Sequence, residues 1–155
     1  MTDLKKIVSG GQTGVDRAAL DAAIDAGFPH GGWIPRGRIS EDGPISDRYQ
    51  MREADSTDYA RRTEMNIRDS DGTLIINRGV IDGGTALTAR LTKQLRKPLL
   101  IIDQDKVSVE SALQWIKRNS IQVLNVAGPR ESKSPGVYEF ARSFVGRLLS
   151  SIRKS

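Results

Sequence analysis

A chain of 155 residues, 37% hydrophobic and 28% charged, is long enough for one self-supporting domain: at this size roughly two-thirds of the unfolded surface is buried without a metal or disulfide staple. It has no cysteine and one histidine, His30, which excludes disulfides, thiolate metal sites, a cysteine nucleophile and a histidine-based metal centre. The formal net charge of +5 points to an anionic partner. No apolar run approaches the ~20 residues of a membrane span and the N-terminus leads directly into a strand pattern, so the expectation is a cytoplasmic protein with no membrane partner.

Hydrophobic periodicity predicts strands and helices in alternation. Lys5 to Ser9 reads as a short apolar strand, and Asp16 to Ala26 as a helix with Ala19, Leu20 and Ala23 on one face, ended by Gly27. His30, in Pro29-His30-Gly31, reads as a solvated loop residue. Gly31 to Ile34 is a weaker strand, followed by a polar, breaker-rich connection over Pro35 to Gln50, a length more typical of a binding loop than of idle chain. A helix over Thr57 to Asp69 takes Thr57 or Asp58 as N-cap and Tyr59, Met65 and Ile67 as buried positions.

Gly72 to Asn77 reads as a central strand, Thr85 to Leu95 as a helix, Lys97 to Ile102 as a strand, Ser108 to Ser120 as an amphipathic helix, Ile121 to Ala127 as a fifth strand and Gly136 to Ile152 as a closing helix. Strands alternating with helices imply right-handed parallel crossovers. The expected fold is therefore α/β: one domain over 1–155, a three-layer sandwich around a mostly parallel sheet of about five strands. Apolar positions on Thr85 to Leu95 suit either packing on the sheet or a homo-oligomer.

Two glycine-rich turns, Ser9-Gly10-Gly11-Gln12-Thr13-Gly14 and Asp82-Gly83-Gly84-Thr85, each join a strand-like run to a helix-like run. Such turns let backbone N–H groups and a helix N-terminus approach an anion. In the first, Thr13 can cap the helix or give its hydroxyl to a phosphate, and Asp16 and Arg17 open the helix. In the second, Thr85 is the expected cap. The first turn carries neither the Gly-Lys-Ser/Thr ending of a P-loop nor the third glycine of the dinucleotide fingerprint.

Open parallel sheets bind ligands beyond the carboxyl ends of their strands. Both turns open into one crevice if the first strand and Gly72 to Asn77 are neighbours. Gly128-Pro129-Arg130 follows the fifth strand at the same edge, so Arg130 can reach an anion there. Arg36 and Arg38 lie among loop glycines, without a helix face to solubilise, and are further anion-binding candidates. Asp69 and Asp71 fall at the amino end of a strand, away from the crevice. Arg142, Arg147, Arg153 and Lys154 read as a solvated helix face. Only eight aromatics are present and none forms a stacking series, so a nucleic-acid partner is not expected.

Taken together, Ser9 to Leu20, Gly32 to Arg38 with Glu41-Asp42-Gly43, Arg62-Thr63 with Asn66, Asp69 to Thr73, Gly83 to Thr85 and Asn125 to Ser132 resemble the putative molybdenum carrier family. That family is a circularly permuted YpsA-like branch of the SLOG group, which includes the LOG nucleotide phosphoribohydrolases. The resemblance implies a Rossmann-like fold and binding of molybdenum cofactor or a nucleotide-like ligand; since the chain has no cysteine, no metal held by protein side chains is expected. LOG enzymes carry a glutamate that takes part in catalysis three residues after a Gly-Thr pair; aligned on Gly84-Thr85, that position is Thr88. No catalytic residue is transferred, and Asp16, Glu41 and Asp42 stand as alternative carboxylates. The leading expectation is a carrier or binding protein for a phosphorylated pterin or nucleotide-like ligand, held by Gly10, Gly11, Gln12, Thr13, Gly14, Asp16, Arg17, Arg36, Arg38, Gly83, Gly84, Thr85 and Arg130. The alternatives are a nucleotide-processing enzyme and a nucleotide-sensing module.

Overall fold

The computed structural model describes residues 3–106 and 108–154, the side chain of Lys154 excepted. Lys154, grouped above with the C-terminal cations, thus has a side chain outside the described part.

Five strands form a parallel sheet: β1 (Lys6–Val8), β2 (His30–Gly31), β5 (Gly72–Asn77), β6 (Leu99–Asp103) and β7 (Val123–Ala127), in the order β2-β1-β7-β5-β6. All pairings are parallel, with Val8 opposite Asn125 and Thr73 opposite both Asn125 and Leu99. A two-stranded parallel ribbon, β3 (Trp33–Ile34) with β4 (Arg52–Glu53), lies apart from it. The helices are α1 (Val15–Asp25), α2 (Tyr59–Asp69), α3 (Gly83–Gln94), α4 (Val109–Arg118) and α5 (Val137–Lys154).

The strand chemistry explains the layers. Every residue of β5 is buried, as a central strand covered on both faces requires. Leu74 and Ile76 join Ile7, Leu124 and Val126 in the core beneath α1, α4 and α5, where Ala18, Ala19, Ala22 and Ala23 of α1 allow close approach to Phe144, Val145 and Leu148 of α5. The helices α2 and α3 pack together on the other face. The result is the expected α/β, Rossmann-like, three-layer arrangement.

Local chemistry places the helix ends. Asp58 caps α2, accepting from the Ala60 N–H at 2.9 Å, and Ser108 caps α4, accepting from the Ser111 N–H at 3.1 Å. On α2 the buried residues are Arg62, Asn66 and Ile67; Tyr59 is exposed and Met65 only partly covered.

Besides the buried position expected at Tyr59, three sequence expectations are corrected. The strands β1 and β5 are not neighbours, because the last strand, β7, inserts between them; alternation predicts crossovers but not their order. The second strand divides at Gly32 into β2, which joins the main sheet, and β3, which pairs with the unforeseen β4. His30 is not a solvated loop residue: it lies in β2, half-buried, and its Nε2 accepts the Gln50 N–H at 3.1 Å.

Candidate functional site

A crevice of about 240 Å³ opens beyond the carboxyl ends of the central strands. Although β1 and β5 are not adjacent, the turns after both still reach it, since the strand between them is only one strand wide. Gln12 and Asp16 come from the first glycine turn and the start of α1. Gly83, Gly84, Thr85 and Thr88 come from α3. Asn125, Gly128, Arg130 and Lys133 come from β7 and the loop after it, and Arg62 comes from α2.

At the floor, Asp16 and Arg62 are both buried, with Arg62 Nη2 at 3.7 Å from Asp16 Oδ2. The Gln12 N–H also approaches that oxygen, at 3.4 Å. Burial nevertheless outweighs these attractions and pushes the Asp16 carboxyl up to about 6. Arg62 is fixed by donating Nε–H to Gly10 O at 3.1 Å and from Nη1 to Tyr59 O at 3.3 Å. Asn125 is buried beside it and donates to the Thr73 hydroxyl at 3.2 Å.

The opposite wall is the start of α3. The first backbone bond of that helix runs from the Ala86 N–H to Asp82 O at 3.1 Å, so the N–H groups of Gly83, Gly84 and Thr85 have no partner within the helix. Asp82, not Thr85, occupies the cap position, and its side chain makes no cap bond. Thr85 is buried and lines the crevice, and its hydroxyl has no hydrogen bond among the described residues. The Thr88 hydroxyl is turned back onto the helix, donating to Gly84 O at 3.0 Å. A Cβ built on Gly84 would meet nothing within 4 Å. At the rim, Lys133 pairs with Asp82 at 2.6 Å and Arg130 with Glu41 at 3.4 Å.

The other candidate residues lie elsewhere. Thr13 and Arg17 face a second cleft of about 790 Å³, together with Asp21, Glu41 and Asp42. There the Thr13 hydroxyl donates to Glu41 and accepts the Glu131 N–H at 3.2 Å. Arg17 holds Asp42 at 3.0 Å and keeps that carboxyl down at about 2. Gly10, Gly11 and Gly14 serve packing: a Cβ would strike Arg62 from Gly10, Ile34 from Gly11, and the Pro129 carbonyl from Gly14 at 2.3 Å.

Neither loop arginine lines the crevice. Arg36 is exposed, and Arg38 donates to the carbonyls of Ile45, Ser46 and Tyr49 at 2.9, 2.7 and 3.3 Å. Arg38 thereby folds its own loop, because those carbonyls have no ladder to satisfy them. Of the sequence candidates, Gln12, Asp16, Gly83, Gly84, Thr85 and Arg130 are brought together. Arg62, Asn125 and Lys133 were not singled out as ligand residues. The first two lay within segments that carry the family resemblance, while Lys133 had no distinguishing context.

Asp69 and Asp71 sit at the amino end of β5, as expected. Asp71 accepts the N–H groups of Gln122 and Val123 at 3.0 and 2.9 Å, and Asp69 accepts the Trp33 indole N–H at 2.7 Å. Among the described residues no group of three or more His, Asp or Glu side chains is placed to hold a metal, and no helix is long and apolar enough to cross a membrane.

Comparison with known proteins agrees with this architecture. A crystal structure at 1.45 Å of the "Putative molybdenum carrier protein" from Syntrophus aciditrophicus SB is 47% identical, covers 96% of each chain and superposes with a TM-score of 0.87. A search of curated proteins gives no match. The Circularly permutated YpsA SLOG family matches residues 7–149, and with nearly the whole chain covered the protein belongs to that family.

Proposed function

We propose that the protein binds and carries a phosphorylated small molecule in this crevice, a pterin such as molybdenum cofactor or a nucleotide-like compound. The observation that carries the reading is the α3 wall. The N–H groups of Gly83, Gly84 and Thr85 and the Thr85 hydroxyl, without hydrogen-bond partners among the described residues, belong to residues that line the crevice together with Arg62, Arg130 and Lys133. Unsatisfied donors beside cations favour an oxyanion.

The donor set also fits the way such a cargo would be held. With no cysteine in the chain and no metal-binding cluster among the described residues, the contacts fall on phosphate, oxo and ring polar groups, not on the metal. The name given to the Syntrophus protein supports a carrier over a catalyst.

One observation favours the second reading, hydrolysis of a nucleotide's N-glycosidic bond: Asp16 is a buried carboxylate in the crevice, whereas Glu41 and Asp42 belong to the cleft. Against it stands Thr88, at the position where LOG enzymes place glutamate, with its hydroxyl spent on Gly84 O. A hydroxyl is no general base near neutrality, and that assistance is typically worth 10²–10⁴ in rate.

The test is mass spectrometry of the small molecules released from gently purified protein, followed by calorimetry with the compound found and with a panel of nucleoside monophosphates. Gly84→Leu should lower affinity at least about a hundredfold while leaving the melting temperature unchanged, because its side chain enters open space. Equal affinity in that variant excludes the crevice, and rapid release of free base from any nucleotide replaces the carrier reading with the enzymatic one.

A further inference from the structure

The cations of the crevice are already spoken for. Lys133 is paired with Asp82, Arg130 with Glu41 and Arg62 with Asp16. An anion that reaches any of these three cations must displace a carboxylate from it. At the rim this is easy, since the Asp82 side chain is 64% exposed and can turn to water. Asp16 has no such exit: it is 6% exposed, and it is the only carboxylate among the described residues that line the crevice.

Its surroundings on every side are fixed. Arg62 approaches from α2, the Gln12 N–H from the glycine turn, and Thr85 and Thr88 line the same crevice from α3, the Thr88 hydroxyl held on Gly84 O, as do Asn125 from β7 and Arg130 and Lys133 from the loop after it. Arg17, the next residue on α1, is committed to Asp42. Two like charges sharing one desolvated space cannot both stay ionised, and the one that cannot leave takes a proton.

We propose that the crevice takes up its anion together with one proton, and that Asp16 holds that proton, releasing Arg62 to the anion and offering its own O–H as a further donor. The inference rests on the anion-binding reading above and adds the ionisation state of the occupied site. The burial of Asp16 beside Arg62 already pushes its carboxyl up to about 6, within reach of protonation at neutral pH.

The test uses sulfate, an anion that does not itself titrate near neutrality, so any proton taken up belongs to the protein. Calorimetry in two buffers of different ionisation enthalpy counts the protons. At pH 7 the unmodified protein should take up close to one proton per sulfate, and its affinity should fall about tenfold from pH 7 to pH 8. In Asp16→Asn the uptake should vanish and the affinity should change less than about twofold over that range. The ¹³C shift of the Asp16 carboxyl, with and without sulfate, reads the same event in the unmodified protein and stands even where the variant fails to fold.

Sulfate binding without proton uptake overturns the proposal and leaves the anion site intact. Uptake that persists in Asp16→Asn overturns the assignment to Asp16. Sulfate that still binds Gly84→Leu with full affinity is outside the crevice, and no binding between pH 5 and pH 8 removes the anion site and this inference together.

Discussion

The crevice and the cleft on the far side of the first glycine turn are built from adjacent residues but handle charge in opposite ways. Asp16 faces the crevice and Arg17 the cleft. In the cleft four carboxylates are answered: Asp42 by Arg17, Asp21 by the hydroxyls of Tyr49 and Tyr138, Glu41 by the hydroxyls of Thr13 and Ser132, and Glu131 by the N–H groups of Gly136 and Tyr138 at 2.7 and 3.0 Å. In the crevice the Thr85 hydroxyl and the first N–H groups of α3 lack partners among the described residues, and burial outweighs Arg62 at Asp16. Volume alone would have chosen the larger cleft. Free hydrogen-bonding capacity is the ground on which the proposed function rests on the crevice, because a satisfied group has nothing left to offer a ligand.

The largest effect expected is at the wall the two depressions share. Gly14 has φ of 78° and a Cβ there would lie 2.3 Å from the Pro129 carbonyl, so Gly14→Val should destabilise by more than about 3 kcal/mol, combining backbone strain with a backbone clash. Thermal denaturation checks this; a variant melting like the parent would show that the wall has slack.

Asp16→Asn comes next and sharpens the contrast through pH. The folded-state carboxyl lies above its ordinary 3.8, at about 6, so the native state binds more protons than the unfolded chain between those values. Parent stability therefore falls as pH rises through that window. Relative to the parent, Asp16→Asn should gain up to roughly 3 kcal/mol from pH 4 to pH 6 and level off above. Paired denaturation curves across that range decide it, and a difference that does not move with pH shows that Asp16 is not desolvated.

Replacing Arg62 by Leu should weaken ligand binding by about 1.5–3 kcal/mol, the value of a hydrogen bond to a charged group. Arg36→Ala should change affinity less than about twofold, since Arg36 lies off the crevice. Calorimetry with the co-purified ligand compares them, and equal losses would mean that attraction is diffuse. Smallest of all, Asp42→Asn removes the half-exposed carboxylate of the Arg17 pair and leaves Arg17 on Gly11 O at 3.1 Å. It should alter stability by about 0–1 kcal/mol and leave ligand affinity as it was; a large loss of affinity would join cleft and crevice into one site.

Much of this molecule is legible along the chain because period and punctuation are local. The buried run Gly72 to Asn77, the alanine-rich face of α1 and a cap at Thr57 or Asp58 need only neighbouring residues to be read. The two glycine turns likewise mark strand-to-helix junctions at the ligand edge of a parallel sheet. What each glycine faces is another matter. Gly11 abuts Ile34 and Gly14 abuts Pro129, while Gly84 faces open space; residues distant in the chain make those surroundings.

Tertiary structure alone decided the strand order, with β7 between β1 and β5, since alternation constrains handedness and not sequence of insertion. It also sorted the arginines. Arg36 and Arg38 stand among loop glycines and read as ligand residues, yet Arg38 is consumed by its loop's carbonyls, and Arg62, inside an ordinary helical stretch, is carried to the crevice floor. Desolvation and pairing are properties of three-dimensional neighbours, and the charge available to a ligand is what remains after both have been met.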